Sequence, residues 1–137
     1  MKIVNTSKTY NTDTGLVYSC QYHVIFTPKY RRPVLVNGVD LRLKEIMVEK
    51  QLQYKYQIIE MEVMPDHVHL LLDINPKVGV YQVVSKIKGH TSSQLRTEFP
   101  WLVSRLPTLW TRSKFISSVG SVSLETVKSY IQEQKGK

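Results

Sequence analysis

The stretch MPDHVHLLLDI, residues 64–74, carries the most informative pattern in this chain of 137 residues. Apolar side chains occupy every even position from 68 to 74, and this period of two is typical of a β-strand. The opposite face begins with His67 and His69, because residues i and i+2 of a strand point the same way. Two imidazoles on one face can bind one metal ion, although two partly exposed strand histidines are the commoner outcome of such spacing.

The preceding stretch YQIIEMEV, residues 56–63, also alternates. Together the two stretches predict a β-hairpin that turns at Pro65 and Asp66. The alternation places apolar side chains on one face and carboxylates on the other: Ile59, Met61 and Val63 against Glu60 and Glu62.

Each remaining segment shows one dominant pattern. Segments rich in β-branched and aromatic residues are predicted to be strands, and segments with apolar residues at helical spacing are predicted to be helices. The predicted elements are a strand over residues 16–27, a basic loop over 28–33, a helix over 40–54, a helix over 80–98, a strand over 109–120, and a helix from 121 or 123 to about 135. In the second helix, Lys86, Lys88 and Arg96 fall off the apolar stripe.

The order of elements is β-α-β-β-α-β followed by a C-terminal helix. This order predicts an α+β fold of the ferredoxin-like or RRM-like kind, an antiparallel four-stranded sheet with two helices on one face. The other face requires a cover, which can be a partner chain, nucleic acid or the last helix. We expect one domain over residues 1–137, with a loosely ordered lead-in over 1–15.

Charge and cysteine content narrow the class of protein. The net charge of +8 and the pI of about 9.6 favour a polyanionic partner, nucleic acid first. Cys20 is the single cysteine, so an internal disulfide and a cysteine zinc site are excluded, and a reducing, cytoplasmic setting fits. No apolar run approaches the roughly 20 residues that span a bilayer, and the start lacks the apolar core of a signal peptide.

The last predicted helix carries Tyr130, with Gln134 one turn later on the same side. The structural interpretation makes Tyr130 one more anchoring aromatic. The chemical interpretation combines two strand histidines and the amide oxygen of Gln134 into a metal site with open positions. A phosphate could enter such a site, and a phenol with an ordinary pKa of about 10 could attack it once deprotonated.

These residues resemble a known family. His67, Val68 and His69 resemble the HUH motif, in which a bulky hydrophobic residue separates two histidines. Tyr130 and Gln134 resemble the tyrosine helix of single-tyrosine HUH transposases from the smallest bacterial and archaeal insertion sequences. The segments YHVIFTPKYRRPVL, MEVMPDHVHLLL and LWTRSKFISSVG are similar to that family in content and order, and the resemblance covers about residues 17–134.

The resemblance implies that His67 and His69 bind a divalent metal, usually Mg²⁺ or Mn²⁺, and that Gln134 completes the ligand set. It implies that Tyr130 attacks single-stranded DNA, which leaves a 5′-phosphotyrosine and a free 3′-OH. Such enzymes are homodimers in which the tyrosine helix can come from the other subunit. They recognise imperfect hairpins near the ends of the element and excise and insert it as single strands.

Three other functions compete with the transposase. A single-stranded nucleic-acid module usually stacks bases on sheet aromatics, whereas the strand at 67–74 offers histidines, leucines and an aspartate. A rolling-circle replication initiator or relaxase shares HUH chemistry but usually lies in a larger chain with another motif order. A small metallohydrolase would need more carboxylate or histidine ligands.

Other polar residues are candidates for supporting roles. His23 can neighbour the site or be an ordinary surface histidine, and His90 is expected to be structural or near DNA. Asp66 can orient His67 or simply form the turn, and Glu60 and Glu62 are either outer neighbours of the site or solvated carboxylates. The candidate phosphate contacts are Arg31, Arg32, Lys86, Lys88, Arg112 and Lys114.

Overall fold

The computed structural model describes residues 3–4, 9–120 and 132, with side chains from residue 10 onward. The strands of this part are β1 (Ile3–Val4), β2 (Thr9–Asp13), β3 (Leu16–Tyr18), β4 (Gln21–Phe26), β5 (Tyr56–Met64), β6 (His67–Ile74) and β7 (Phe115–Ser118). Its helices are α1 (Val39–Glu49), α2 (Gln51–Tyr54), α3 (Val80–Glu98) and α4 (Trp101–Arg105). A short 3-10 turn covers Lys29–Arg31. No helix of the described ranges is long and apolar enough to cross a membrane.

The main sheet has the strand order β5-β6-β4-β7, and every neighbouring pair is antiparallel. One face of this sheet joins the buried side chains of α1 and α3 in a single core. Val24 and Leu70 of the sheet meet Leu43 and Ile46 of α1 and Val83 of α3 in that core. The predicted α+β, ferredoxin-like architecture is confirmed.

The register of β4 and β6 builds the opposite face of the sheet. Ile25 lies opposite His69, and His23 lies opposite Leu71. Side chains two residues apart share a face, so both histidines of β6 and the histidine of β4 point away from the helices. The period-two pattern of residues 67–74 therefore predicted the correct faces of this strand.

A β-bulge in β5 changes the predicted faces of that strand. The pairing shifts between Ile58, opposite Leu72, and Glu60, opposite Leu71, so Ile59 is the extra residue. Ile59 is 42% exposed, whereas Ile58 packs against the core. The prediction that Ile59 joins the apolar face is wrong, because the bulge restarts the alternation at Glu60.

The N-terminal part forms a second, three-stranded sheet in the order β1-β2-β3. Residues 9–13, which fall within the segment expected to be a loosely ordered lead-in, are the central strand of this sheet. The side-chain amide of Asn11 donates to the buried Asp73 over 3.0 Å, and Asn75 donates to Asp13 over 2.9 Å. These two bonds hold β2 against the end of β6.

Several predicted boundaries also differ. The strand expected over 16–27 is divided into β3 and β4, which belong to different sheets. The helix expected over 40–54 is interrupted at Lys50 and ends at Lys55, whose φ of 65° is left-handed. By contrast, the helix expected over 80–98 has the same bounds as α3. The predicted C-terminal helix lies outside the described residues, apart from the helical Gln132.

Candidate functional site

Both histidines of the HUH motif lie on the face of the main sheet that is opposite α1 and α3. His67 and His69 are half-buried on β6, and Val68 between them is fully buried in the core. In the neighbouring strand, Glu62 lies opposite His69 and Met64 lies opposite His67. The two imidazoles are therefore accessible while their backbone belongs to a central strand of the sheet.

Asp66 orients the first histidine. Its Oδ1 atom lies 2.9 Å from Nδ1 of His67, and its Oδ2 atom lies 3.2 Å from Nε of Arg31. The hydrogen bond from His67 and the charge of Arg31 lower the pKa of Asp66, although partial desolvation opposes them. The carboxylate is thus ionised at neutral pH and accepts a hydrogen bond from Nδ1–H. In the neutral form of the His67 ring, this bond leaves the Nε2 lone pair for a ligand.

The second histidine contacts a third one. Nδ1 of His23 lies 3.0 Å from Nε2 of His69, and the ring centroids are 5.2 Å apart. The planes of the two rings are tilted by 33° to each other, and one of the two close nitrogens donates while the other accepts. Of the two roles considered for His23 from sequence, the structure places it next to the site.

Carboxylates surround this face although the chain is strongly basic. Oε1 of Glu62 lies 4.0 Å from Nε2 of His67, and Glu60, Glu62 and His69 line an open depression of about 340 Å³. Imidazole nitrogens and carboxylate oxygens are both donor types that bind divalent cations. Within the described ranges, however, no three His, Cys, Asp or Glu side chains form a group that could hold a metal ion. Tyr130 and Gln134, the other predicted site residues, lie outside the described residues.

The six candidate phosphate contacts have different surroundings. Arg31 is paired with Asp66, and Arg32 lines a second depression of about 200 Å³ together with Arg105. The Lys86 ammonium lies 5.7 Å from the ring centre of Tyr54. Arg112 is exposed, and the Lys114 ammonium lies 4.5 Å from the ring centre of Tyr81.

Lys88 differs from the prediction. It is only 9% exposed, and its Nζ atom donates to the carbonyl oxygens of Thr111 over 2.7 Å, Ser113 over 3.3 Å and Arg112 over 3.4 Å. Burial and the nearby Lys114 ammonium lower the pKa of Lys88 to about 8. The residue was expected off the apolar stripe as a phosphate contact, but here it holds the loop that precedes β7.

His90 lies on the helical side of the sheet. It is on α3, and its ring meets the ring of Tyr54 edge-on with centroids 6.2 Å apart. This position agrees with the structural role that was one of its two expected roles.

Comparisons with known proteins agree on one family. The family model described as "Transposase IS200 like" matches residues 16–134. The chain is 37% identical to the ISDra2 transposase TnpA of Deinococcus radiodurans over 125 residues, which covers 90% of this chain and 89% of the relative. It is 32% identical over 120 residues to the transposase for insertion sequence element IS200 of Salmonella typhimurium, which covers 85% of this chain and 78% of the relative.

Two solved structures of transposases are also similar to this chain. A crystal structure of a candidate transposase from Deinococcus radiodurans R1 superposes with a TM-score of 0.72 at 33% identity, covering 90% of this chain and 97% of that one. A REP-associated tyrosine transposase bound to a REP hairpin superposes with a TM-score of 0.57 at 13% identity, covering 96% and 68%. The second similarity is one of fold.

Proposed function

This chain belongs to the IS200-like family of transposases, and we propose that it cleaves and rejoins single-stranded DNA through Tyr130. The phenolic oxygen of Tyr130 loses its proton and attacks a phosphorus atom. The bond from phosphorus to the 3′ oxygen breaks, and that oxygen leaves as a 3′-OH after it takes up a proton. The product is a 5′-phosphotyrosine ester that keeps the bond energy, so a second 3′-OH can reverse the step and join strands without ATP.

The observation that supports this chemistry is the open sheet face on which Asp66 orients His67 beside His69. We propose that His67, His69 and Gln134 hold Mg²⁺ or Mn²⁺. When bound, this ion supplies Lewis-acid stabilisation of the charge that develops on the phosphate. The protein itself contributes the orientation of His67 by Asp66 and the accessible position of both rings on a central strand.

We propose hairpin DNA with a single-stranded flank as the substrate. A net charge of +8 attracts DNA without regard to sequence, and that attraction weakens as salt rises. Specificity then has to come from the shape of the hairpin, and the relative of similar fold is bound to a REP hairpin. Binding to the correct hairpin should survive salt that removes plain duplex. Equal affinity for both DNAs over the whole salt range would contradict this substrate.

We propose that the enzyme is a cytoplasmic homodimer. The sheet face with the histidines carries no helix within the described part of the chain, and a second copy could cover it and contribute its tyrosine helix. Light scattering of the active protein should therefore give twice the mass of one chain. Full activity at the mass of a single chain would contradict the dimer.

Labelling of the two DNA ends tests the proposed chemistry. A hairpin oligonucleotide labelled at its 3′ end should transfer the label to the protein in a denaturing gel. The same oligonucleotide labelled at its 5′ end should release a shorter strand that a polymerase can extend from its 3′-OH. Transfer of the 5′ label instead would contradict a 5′-phosphotyrosine, and the absence of any adduct would favour a binding module without catalysis.

A further inference from the structure

The basic loop after β4 contains two consecutive residues in an unusual conformation. Tyr30 has a φ of 58° and Arg31 a φ of 53°, so both are left-handed although neither is glycine. Bulky L residues rarely adopt this conformation, and strained backbone of this kind concentrates at functional sites.

Backbone hydrogen bonds hold this loop internally and to two neighbouring segments. The Lys29 amide donates to the carbonyl of Leu109 over 2.8 Å, and the Arg31 amide donates to the carbonyl of Pro28 over 2.8 Å. On the other side, the amide of Leu35 donates to the carbonyl of Pro65, in the turn before the site histidines, over 3.0 Å. The loop is therefore attached to two neighbouring segments, and its strained turn is part of the fold.

The strained turn places an aromatic ring in solvent. The Tyr30 side chain is 67% exposed, so burial of its ring cannot explain the strain. The next residue, Arg31, contacts Asp66, and Asp66 contacts His67. Arg31, the neighbour of Tyr30 in the chain, is thus linked to the candidate site through two side-chain contacts, and the Lys29 ammonium lies 5.3 Å from the centre of the Tyr30 ring.

We propose that Tyr30 stacks on a base of the single-stranded DNA flank beside the phosphate that is cleaved. Proteins that bind single strands combine cationic side chains that follow the backbone with aromatic rings on which bases stack, and this loop supplies both. Tyr30 would then fix the register of the strand in the site. This inference rests on the proposed function, because it requires a single-stranded substrate.

Matched tyrosine variants test the stacking. Tyr81, on α3, is 64% exposed and carries a lysine ammonium over its ring, as Tyr30 does, so Tyr81→Ala is the control. We expect Tyr30→Ala to weaken binding of the flanked hairpin by about 5- to 100-fold, Tyr30→Phe to restore nearly all of it, and Tyr81→Ala to change little. Tyr30→Gly, which relieves the positive φ, should be at least as stable as the wild type and bind as weakly as Tyr30→Ala.

A scan with abasic nucleotides identifies the stacked base. One abasic position in the flank should weaken binding of the wild type but not of Tyr30→Ala, because both changes remove the same contact. If the two losses add at every position, or if Tyr30→Ala binds like Tyr81→Ala, the stacking proposal is overturned. The wild type would still transfer the 3′ label in that case. Failure of label transfer by the wild type would contradict the proposed function instead.

Discussion

Oδ1 of Asp66 lies 2.9 Å from Nδ1 of His67, and this contact determines which nitrogen of the histidine is free. An ionised carboxylate only accepts hydrogen bonds, so Nδ1 carries a proton, and in the neutral form of the ring the lone pair is on Nε2. The arrangement matches the carboxylate–histidine pairs that orient metal ligands in many proteins. It makes Asp66 a positioning residue whose effect can be measured separately from that of the histidine.

Asp66→Ala should raise the Mn²⁺ concentration that gives half-maximal cleavage by about 10- to 100-fold, because the imidazole loses its orientation. Saturating Mn²⁺ should restore most of the rate. Asp40→Ala, which removes a carboxylate from the first turn of α1, is the control and should leave the metal requirement unchanged. An unchanged Mn²⁺ requirement in the Asp66 variant would show that this residue only forms the turn.

His67→Ala and His69→Ala should each abolish cleavage at ordinary Mg²⁺ concentrations while the fold is kept, because both side chains project from the sheet face opposite α1 and α3 and lie outside the core. Excess EDTA should stop the wild-type enzyme in the same assay. His90→Ala, on the helical side, should keep its metal requirement. Cleavage at the full rate in EDTA would contradict the proposed metal site.

Tyr130→Phe should bind hairpin DNA as the wild type does but form no covalent adduct, since only the nucleophilic oxygen is removed. Gln134→Ala should have a milder effect, because water can replace a neutral ligand. Tyr81→Phe serves as the control for loss of an exposed phenol. An adduct that persists with Tyr130→Phe in a denaturing gel would mean that another residue attacks.

Substitutions of Lys88 and Lys86, two residues apart on α3, should affect different properties: the first protein stability and the second DNA binding. Lys88→Met removes three hydrogen bonds to the loop before β7 and should lower the free energy of unfolding by about 2 kcal/mol. Lys86→Met should change it by less than about 0.5 kcal/mol but reduce the salt dependence of DNA binding by about one unit if Lys86 contacts a phosphate. Urea denaturation and binding at several salt concentrations distinguish the two effects. Equal stability of both variants would contradict the structural role of Lys88.

The bulge in β5 predicts opposite results for two adjacent isoleucines. Ile58→Ala should cost about 2 kcal/mol, because the side chain packs against the core. Ile59→Ala should cost no more than about 0.5 kcal/mol, because the side chain is largely exposed. Urea denaturation of both variants measures the difference. A larger loss of stability for Ile59→Ala than for Ile58→Ala would contradict the bulge.

Features that depend on local periodicity could be predicted from the sequence. The period of two over residues 67–74 placed both histidines on one face, since side-chain direction alternates along any strand. Helical spacing between Gly79 and Pro100 predicted α3 with its correct ends, because both the pattern and its breaks lie within one segment. The order of these elements then left few possible topologies, and the ferredoxin-like one is observed.

The tertiary structure alone decided the features that depend on contacts between distant segments. His23 meets His69 only because the register of β4 and β6 brings together residues 46 positions apart. Lys88 is buried because three carbonyls from a loop 23 to 25 residues later surround its ammonium, and no pattern within α3 contains that information. The strained Tyr30 turn is likewise held by bonds to Leu109 and to the segment at Pro65. Periodicity reports which way a side chain points, whereas its partner depends on how distant segments pack.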